Sequence, residues 1–185
     1  MAKFLKMAGD LSRWNVYRKS AVICDVTEMF IRRAFSYQTR TVDQMRQAAR
    51  SCKQNLVEGV SDCTVSMEMG IKLVGVARSS LRELREDYLD YLYQNDCEIL
   101  KPNTDIFNRM RNFCIECDDR KEFVIKCRPL KDAIIANIMV TQSTQLDSMT
   151  ATVLQKMEDE FVKEGGLKET MGQVRREWRK QHLGF

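Results

Sequence analysis

A single histidine, His182, in a chain of 185 residues removes most of the common catalytic and metal chemistries. A di-metal carboxylate site in a helical bundle needs Glu-x-x-His pairs on facing helices, and the chain cannot supply them. The same scarcity takes away Ser-His-Asp, Cys-His and zincin arrangements, because the general base is missing. No glycine-rich phosphate loop is present: Gly59 and Gly70 are too far apart, and Lys72-Leu73 is not a Lys-Ser/Thr ending. No carboxylate pair or lysine base stands out, so the expectation is a protein that is not an enzyme and carries no cofactor. With only two prolines and eight glycines, helix breakers are few and long helices follow. The longest uncharged run, Ala133 to Leu146, is too short and too polar to span a bilayer, so no membrane insertion is expected.

Seven cysteines are scattered through helical pattern with no signal peptide ahead of them, which reads as reduced thiols in a cytoplasm. Cys114-Ile115-Glu116-Cys117 has metal-knuckle spacing, and Cys127 and Cys97 could complete a four-thiolate site. Buried helical thiols are the simpler reading of the same residues.

The sequence is rich in helical periodicity. A first helix is expected from about Ser12 to Phe35, with Trp14, Tyr17, Ala21 and Cys24 on one stripe and Val22, Val26, Met29 and Phe30 on another. Two stripes imply burial on more than one side, as in a bundle interior or a subunit contact, and because they cover more circumference than a monomeric four-helix bundle can bury, a homo-oligomer is expected. Thr41 to Gln44 reads as a capping box opening a second helix that stops at Gly59. Along it Val42, Met45, Ala49, Cys52 and Leu56 form the inward seam, while Arg46, Arg50 and Lys53 form a basic ridge toward solvent. A third helix opens near Ser66 with the seam Gly70, Val74, Ala77, Leu81, Leu84, Tyr88 and Tyr91, a heptad pattern over three repeats. A shorter helix is expected over Asn103 to Cys117 on Ile106, Phe107, Met110 and Phe113, followed by a charged stretch in which Phe123-Val124-Ile125 is a candidate strand. A last long helix starts after Pro129 and runs to about Lys163, stopped by Gly165-Gly166. The fold expected is all-α, an antiparallel four-helix bundle over residues 1–165 with a divergent insert at about 96–130, then a basic tail helix over 166–185.

Charge is unevenly spread. Residues 1–58 carry 11 Lys/Arg against 5 Asp/Glu, a balance of +6, whereas residues 59–132 carry 12 against 14. The tail adds Arg175, Arg176, Arg179 and Lys180. The ridge Arg46, Arg50, Lys53 and this tail are therefore the candidate nucleic-acid contacts, by charge and by arginine hydrogen bonding to phosphate. One chain offers few contacts, so repetition through oligomerisation would be needed for tight binding.

The run QMRQAARSCKQNLVEG, followed after a polar gap by SMEMGIKLVGVARSSLRELREDYLDYL, resembles the four-helix-bundle family encoded within intervening sequences of 23S ribosomal RNA genes. The likeness rests on an Asn-x-x-Glu-Gly signature at Asn55, Glu58 and Gly59 and on Leu81-Arg82-Glu83-Leu84. It covers roughly residues 12–92, and the long stretch before the last helix is similar to a branch bearing a C-terminal suffix. The resemblance implies an antiparallel bundle, often a pentameric ring, related to the accessory variability protein of diversity-generating retroelements, which binds nucleic acid and a reverse transcriptase. Asn55 and Glu58 are expected to be structural, tying the end of the second helix to its neighbours. The expected function is a scaffold binding RNA or DNA without sequence preference, with a protein partner such as a reverse transcriptase; a pure protein-interaction module is the alternative.

Overall fold

The computed structural model describes residues 15–37, 39–62 and 66–183, the side chains at 61, 62, 164, 167 and 168 apart. The expected arm over residues 1–10, the start near Ser12 and Trp14 lie outside them. Among the described residues the chain is helical with no strand: α1 (Asn15–Ala34), α2 (Arg40–Asp62), α3 (Met67–Gln94), α4 (Asp105–Glu116), α5 (Arg120–Cys127), α6 (Asp132–Glu164) and α7 (Leu167–Leu183).

The four long helices α1, α2, α3 and α6 pack in neighbouring pairs around one core. Cross-pair contacts give their directions. Ser51 meets Ser80 while Gly59 lies by Gly70, and Arg78 meets Asp147 while Leu100 meets Asn137. Lys19 likewise reaches Gln142 while Arg33 pairs with Asp132. Rising numbers on one helix meet falling numbers on the next, so neighbours run antiparallel. The seam expected on α3 is buried from Gly70 to Tyr88, with Leu92 in place of Tyr91 as its last fully enclosed member. Each enclosed leucine or phenylalanine is worth roughly 1.5–3 kcal/mol of hydrophobic transfer. At the α1–α3 diagonal Phe30 packs on Tyr88 and Tyr91 with ring centres 5.0 and 4.9 Å apart, and the Tyr88 hydroxyl donates to Thr27 Oγ1 at 2.9 Å.

Several expectations change in detail. Thr39, not Thr41, caps α2: its Oγ1 accepts from the Val42 amide, which starts the helix a residue or two early. Gly59 does not stop α2, which continues to Asp62. It is a close-approach residue, since a Cβ there would lie 2.9 Å from Val74 Cγ2 and 3.0 Å from the Gly70 carbonyl oxygen. Phe123-Val124-Ile125 is helical, within α5, because Asp119 accepts from the Glu122 amide as an N-cap and Phe123 buries against Phe113 at 4.5 Å. Ser66 does cap α3, and Gly165, at φ +72°, ends α6.

The second apolar stripe of α1 needs no partner chain. The inserted α5 lies along α1, fastened by the Arg120–Asp25 ion pair, and the residues from Val22 to Ile31 that face inward are covered within the chain. That stripe therefore gives no ground for an oligomer. A polar knot ties α1 to α4 and α6: the buried Lys19 ammonium donates to the Cys114 carbonyl, to Gln142 Oε1 at 3.2 Å and to Gln145 Oε1 at 2.9 Å. Burial holds the Lys19 pKa below its usual value, against the opposing influence of Cys114 and Asp118.

Candidate nucleic-acid interface

The ridge expected on α2 is a groove wall. Because α1 and α2 pack side by side, Arg46, Arg50 and Lys53 face across a cleft toward Asp25, Glu28 and Arg32 of α1. Arg46 is only partly exposed and already neutralised: its guanidinium donates to Glu28 at 3.0 Å and to Asp43 at 3.1 Å. Glu28 also accepts from Arg32 at 2.7 Å. Burial works against the Glu28 charge, yet the hydrogen bonds from Arg46 and Arg32 outweigh it and hold the carboxyl below the ordinary range. Arg46 is thus a positioning cation with little charge left for a phosphate. Arg50 is exposed and Lys53 half-buried, and neither has an ion-pair partner among the described residues.

The cleft continues onto a surface that the sequence did not nominate. Arg120, Lys121 and Arg128 of α5 border the neighbouring depression, which shares Asp25, Glu28 and Arg32 with the first. Arg120 is committed to Asp25 through two hydrogen bonds of 2.7 and 2.8 Å. Lys121 and Arg128 are exposed and without an ion-pair partner among the described residues. The face therefore presents Arg50 and Lys53 on one flank of α1 and Lys121 and Arg128 on the other. The cationic run around Arg120 and Lys121 was visible in the sequence, but its place beside α1 was not.

The remaining candidates lie elsewhere. Arg175, Arg176, Arg179 and Lys180 are exposed on α7. Asn55 donates to Ser51 of its own helix, and Ser51 carries the link across to Ser80 of α3, so the expected tie to a neighbour is indirect. Glu58 is exposed. Cys114, Cys117 and Cys127 are buried; burial pushes the Cys114 and Cys127 thiols up to about 12, which keeps them protonated and poor ligands at neutral pH. Among the described residues no three His, Cys, Asp or Glu side chains gather as a metal site. None of the helices there is long and apolar enough to cross a membrane. No protein family, curated protein or solved structure matches the chain.

Proposed function

We propose that this chain is a non-enzymatic, oligomeric scaffold that binds nucleic acid without sequence preference, its long helices forming an antiparallel four-helix bundle. The likeness to the 23S intervening-sequence family, and through it to a pentameric ring, a ribonucleoprotein and a reverse-transcriptase partner, belongs to the same reading. One observation carries the binding claim: Arg50, Lys53, Lys121 and Arg128 border adjoining depressions on one face, and none of them has an ion-pair partner among the described residues. Cations already paired to carboxylates contribute little to a phosphate contact, because the carboxylate must first be displaced. Four free ones neutralise about four phosphates per chain, which on duplex gives a log–log salt slope near −3.6, or about a hundredfold weaker binding between 50 and 200 mM salt.

Fluorescence anisotropy with mixed-sequence RNA and DNA measures that slope. Changing Arg50, Lys53, Lys121 and Arg128 together to Glu should abolish binding while the helical spectrum stays intact. Arg46 is left alone in this test, since Glu at that position would face Glu28 and Asp43 and disturb the α1–α2 contact. Absence of wild-type binding at about 50 mM salt, where phosphate contacts are strong, overturns the reading in favour of a protein-interaction module.

A further inference from the structure

The inserted helix α5 carries an outward stripe that the bundle does not use. Lys121, Val124, Ile125 and Arg128 stand at i, i+3, i+4 and i+7, so a cation lies at each end and two β-branched apolar side chains lie between them. At 1.5 Å of rise per residue the two cations are about 10 Å apart along the helix. Val124 is half-buried, whereas Ile125 is 61% exposed, although α5 already has its own core face at Phe123 and Cys127.

Helix α1 supplies a facing stripe in register. Arg120 pairs with Asp25 and Arg33 donates to the Arg128 carbonyl, each link joining residues 95 positions apart, so α1 and α5 run parallel and side by side. Met29 therefore stands level with Val124, and Arg32 close to Arg128. Between the two helices lies a groove of about 720 Å³, a size typical of small-ligand sites. Its middle is apolar, formed by Met29, Val124 and Ile125; its ends are cationic, with Arg120 and Lys121 at one and Arg32 and Arg128 at the other. Cations outnumber carboxylates there by four to two, and both carboxylates are engaged, Asp25 by Arg120 and Glu28 by Arg32 and Arg46. The groove thus suits an anion with an apolar centre.

We propose that this groove seats one base of a single-stranded nucleic acid on Met29, Val124 and Ile125, with the phosphates on either side of that base held at the two cationic ends. The inference rests on the proposed nucleic-acid reading and narrows it to unpaired strand. A duplex keeps its base faces stacked inside and presents phosphates and groove edges, so the apolar middle gains nothing from it. An unpaired base offers an apolar face with a phosphate before and after it, which matches the order cation, apolar, cation. The aliphatic middle has no group that reads a base edge, so the groove selects strand state and not sequence. Beyond α1 the positive charge continues at Arg50 and Lys53 in a cleft lined mainly by polar and charged groups, which further phosphates can follow and the apolar side chains of an acidic peptide cannot.

Fluorescence anisotropy of the full chain tests it, with a mixed-sequence single strand and with the same strand annealed to its complement. The wild type should hold the single strand roughly fivefold or more tighter at equal salt. Ile125→Ser, at an exposed position, should weaken the single-strand complex roughly fivefold through lost apolar contact and leave duplex affinity unchanged. It should also leave the single-strand salt slope at about −2.8, the value for four phosphate contacts, because an apolar contact releases no counterions. Ile125→Trp should tighten the single-strand complex, a gain that misfolding cannot imitate. Equal affinity for the two forms, or single-strand binding indifferent to both changes at Ile125, overturns the inference and leaves the broader nucleic-acid reading in place. No binding to either form overturns both. A peptide of Glu and Leu repeats that binds more tightly than the single strand and is weakened by Ile125→Ser also overturns the inference, since the groove would then belong to a protein partner.

Discussion

The two faces of α3 share a periodicity and differ in everything else. Inward, Gly70, Val74, Ala77, Leu81, Leu84 and Tyr88 alternate steps of four and three and are buried against α2 and α6. Outward, Met69, Val76, Glu83 and Asp90 keep the same seven-residue register and are exposed. A seven-residue repeat leaves the opposite face of the helix in register too, so one helix carries an enclosed row and an exposed one. Folding stability should therefore respond strongly to changes on the inner face and weakly to changes on the outer one.

The largest effect belongs to the centre of the inner seam. Leu84 has no exposed surface, and Leu84→Ala should cost about 2–5 kcal/mol in urea unfolding, through lost transfer energy and the cavity left behind. Gly59→Ala comes next. It attacks the same seam from the α2 side, where the new methyl meets Val74 Cγ2 at 2.9 Å and the Gly70 carbonyl at 3.0 Å. Alanine gains about 1 kcal/mol in helix propensity over glycine, against an overpacking cost of about 1–3 kcal/mol. Because one of the crowded atoms is backbone and cannot rotate away, net destabilisation of about 1–2 kcal/mol is expected. A stabilised Gly59→Ala protein would mean that α2 and α3 can separate without loss, and the contrast between the two faces would lose its basis.

How much of this was legible in the sequence follows from how far each signal reaches. The α3 seam was readable because its register is local, and so was the Ser66 cap. Gly59 was misread because glycine marks both helix ends and close approaches, and only the position of Gly70 on another helix decides between them. Phe123-Val124-Ile125 looked extended from its β-branched pair, whereas the Asp119 cap and the Phe113 contact make it helical. In the candidate site Arg50 and Lys53 lie beside the cleft as cations, but the neutralisation of Arg46 depends on Glu28, eighteen positions away and across a helix pair. Lys19 shows the limit most clearly. Its acceptors Gln142 and Gln145 are more than a hundred positions distant, so no window of sequence could mark this lysine as a core residue.

The smallest expected effect lies at the α2 edge of the outer face. Burial, then Asp90 and Glu83, push the Asp87 carboxyl up to about 6 from its ordinary 3.8. An acid whose pKa is raised on folding binds more protons folded than unfolded between those two values, so stability falls as pH rises through that window. The penalty is complete above about pH 6 and absent below about pH 4. The α2 residues lining the same groove, Gln44, Gln47 and Ser51, are uncharged and offer no relief. Asp87→Asn should therefore stabilise the dilute protein at pH 7 by roughly 0.2–0.5 kcal/mol, the scale of like-charge pairs on a helix surface. The gain should vanish by pH 4, and a difference that persists there would show that the buried charge of Asp87 is not its source.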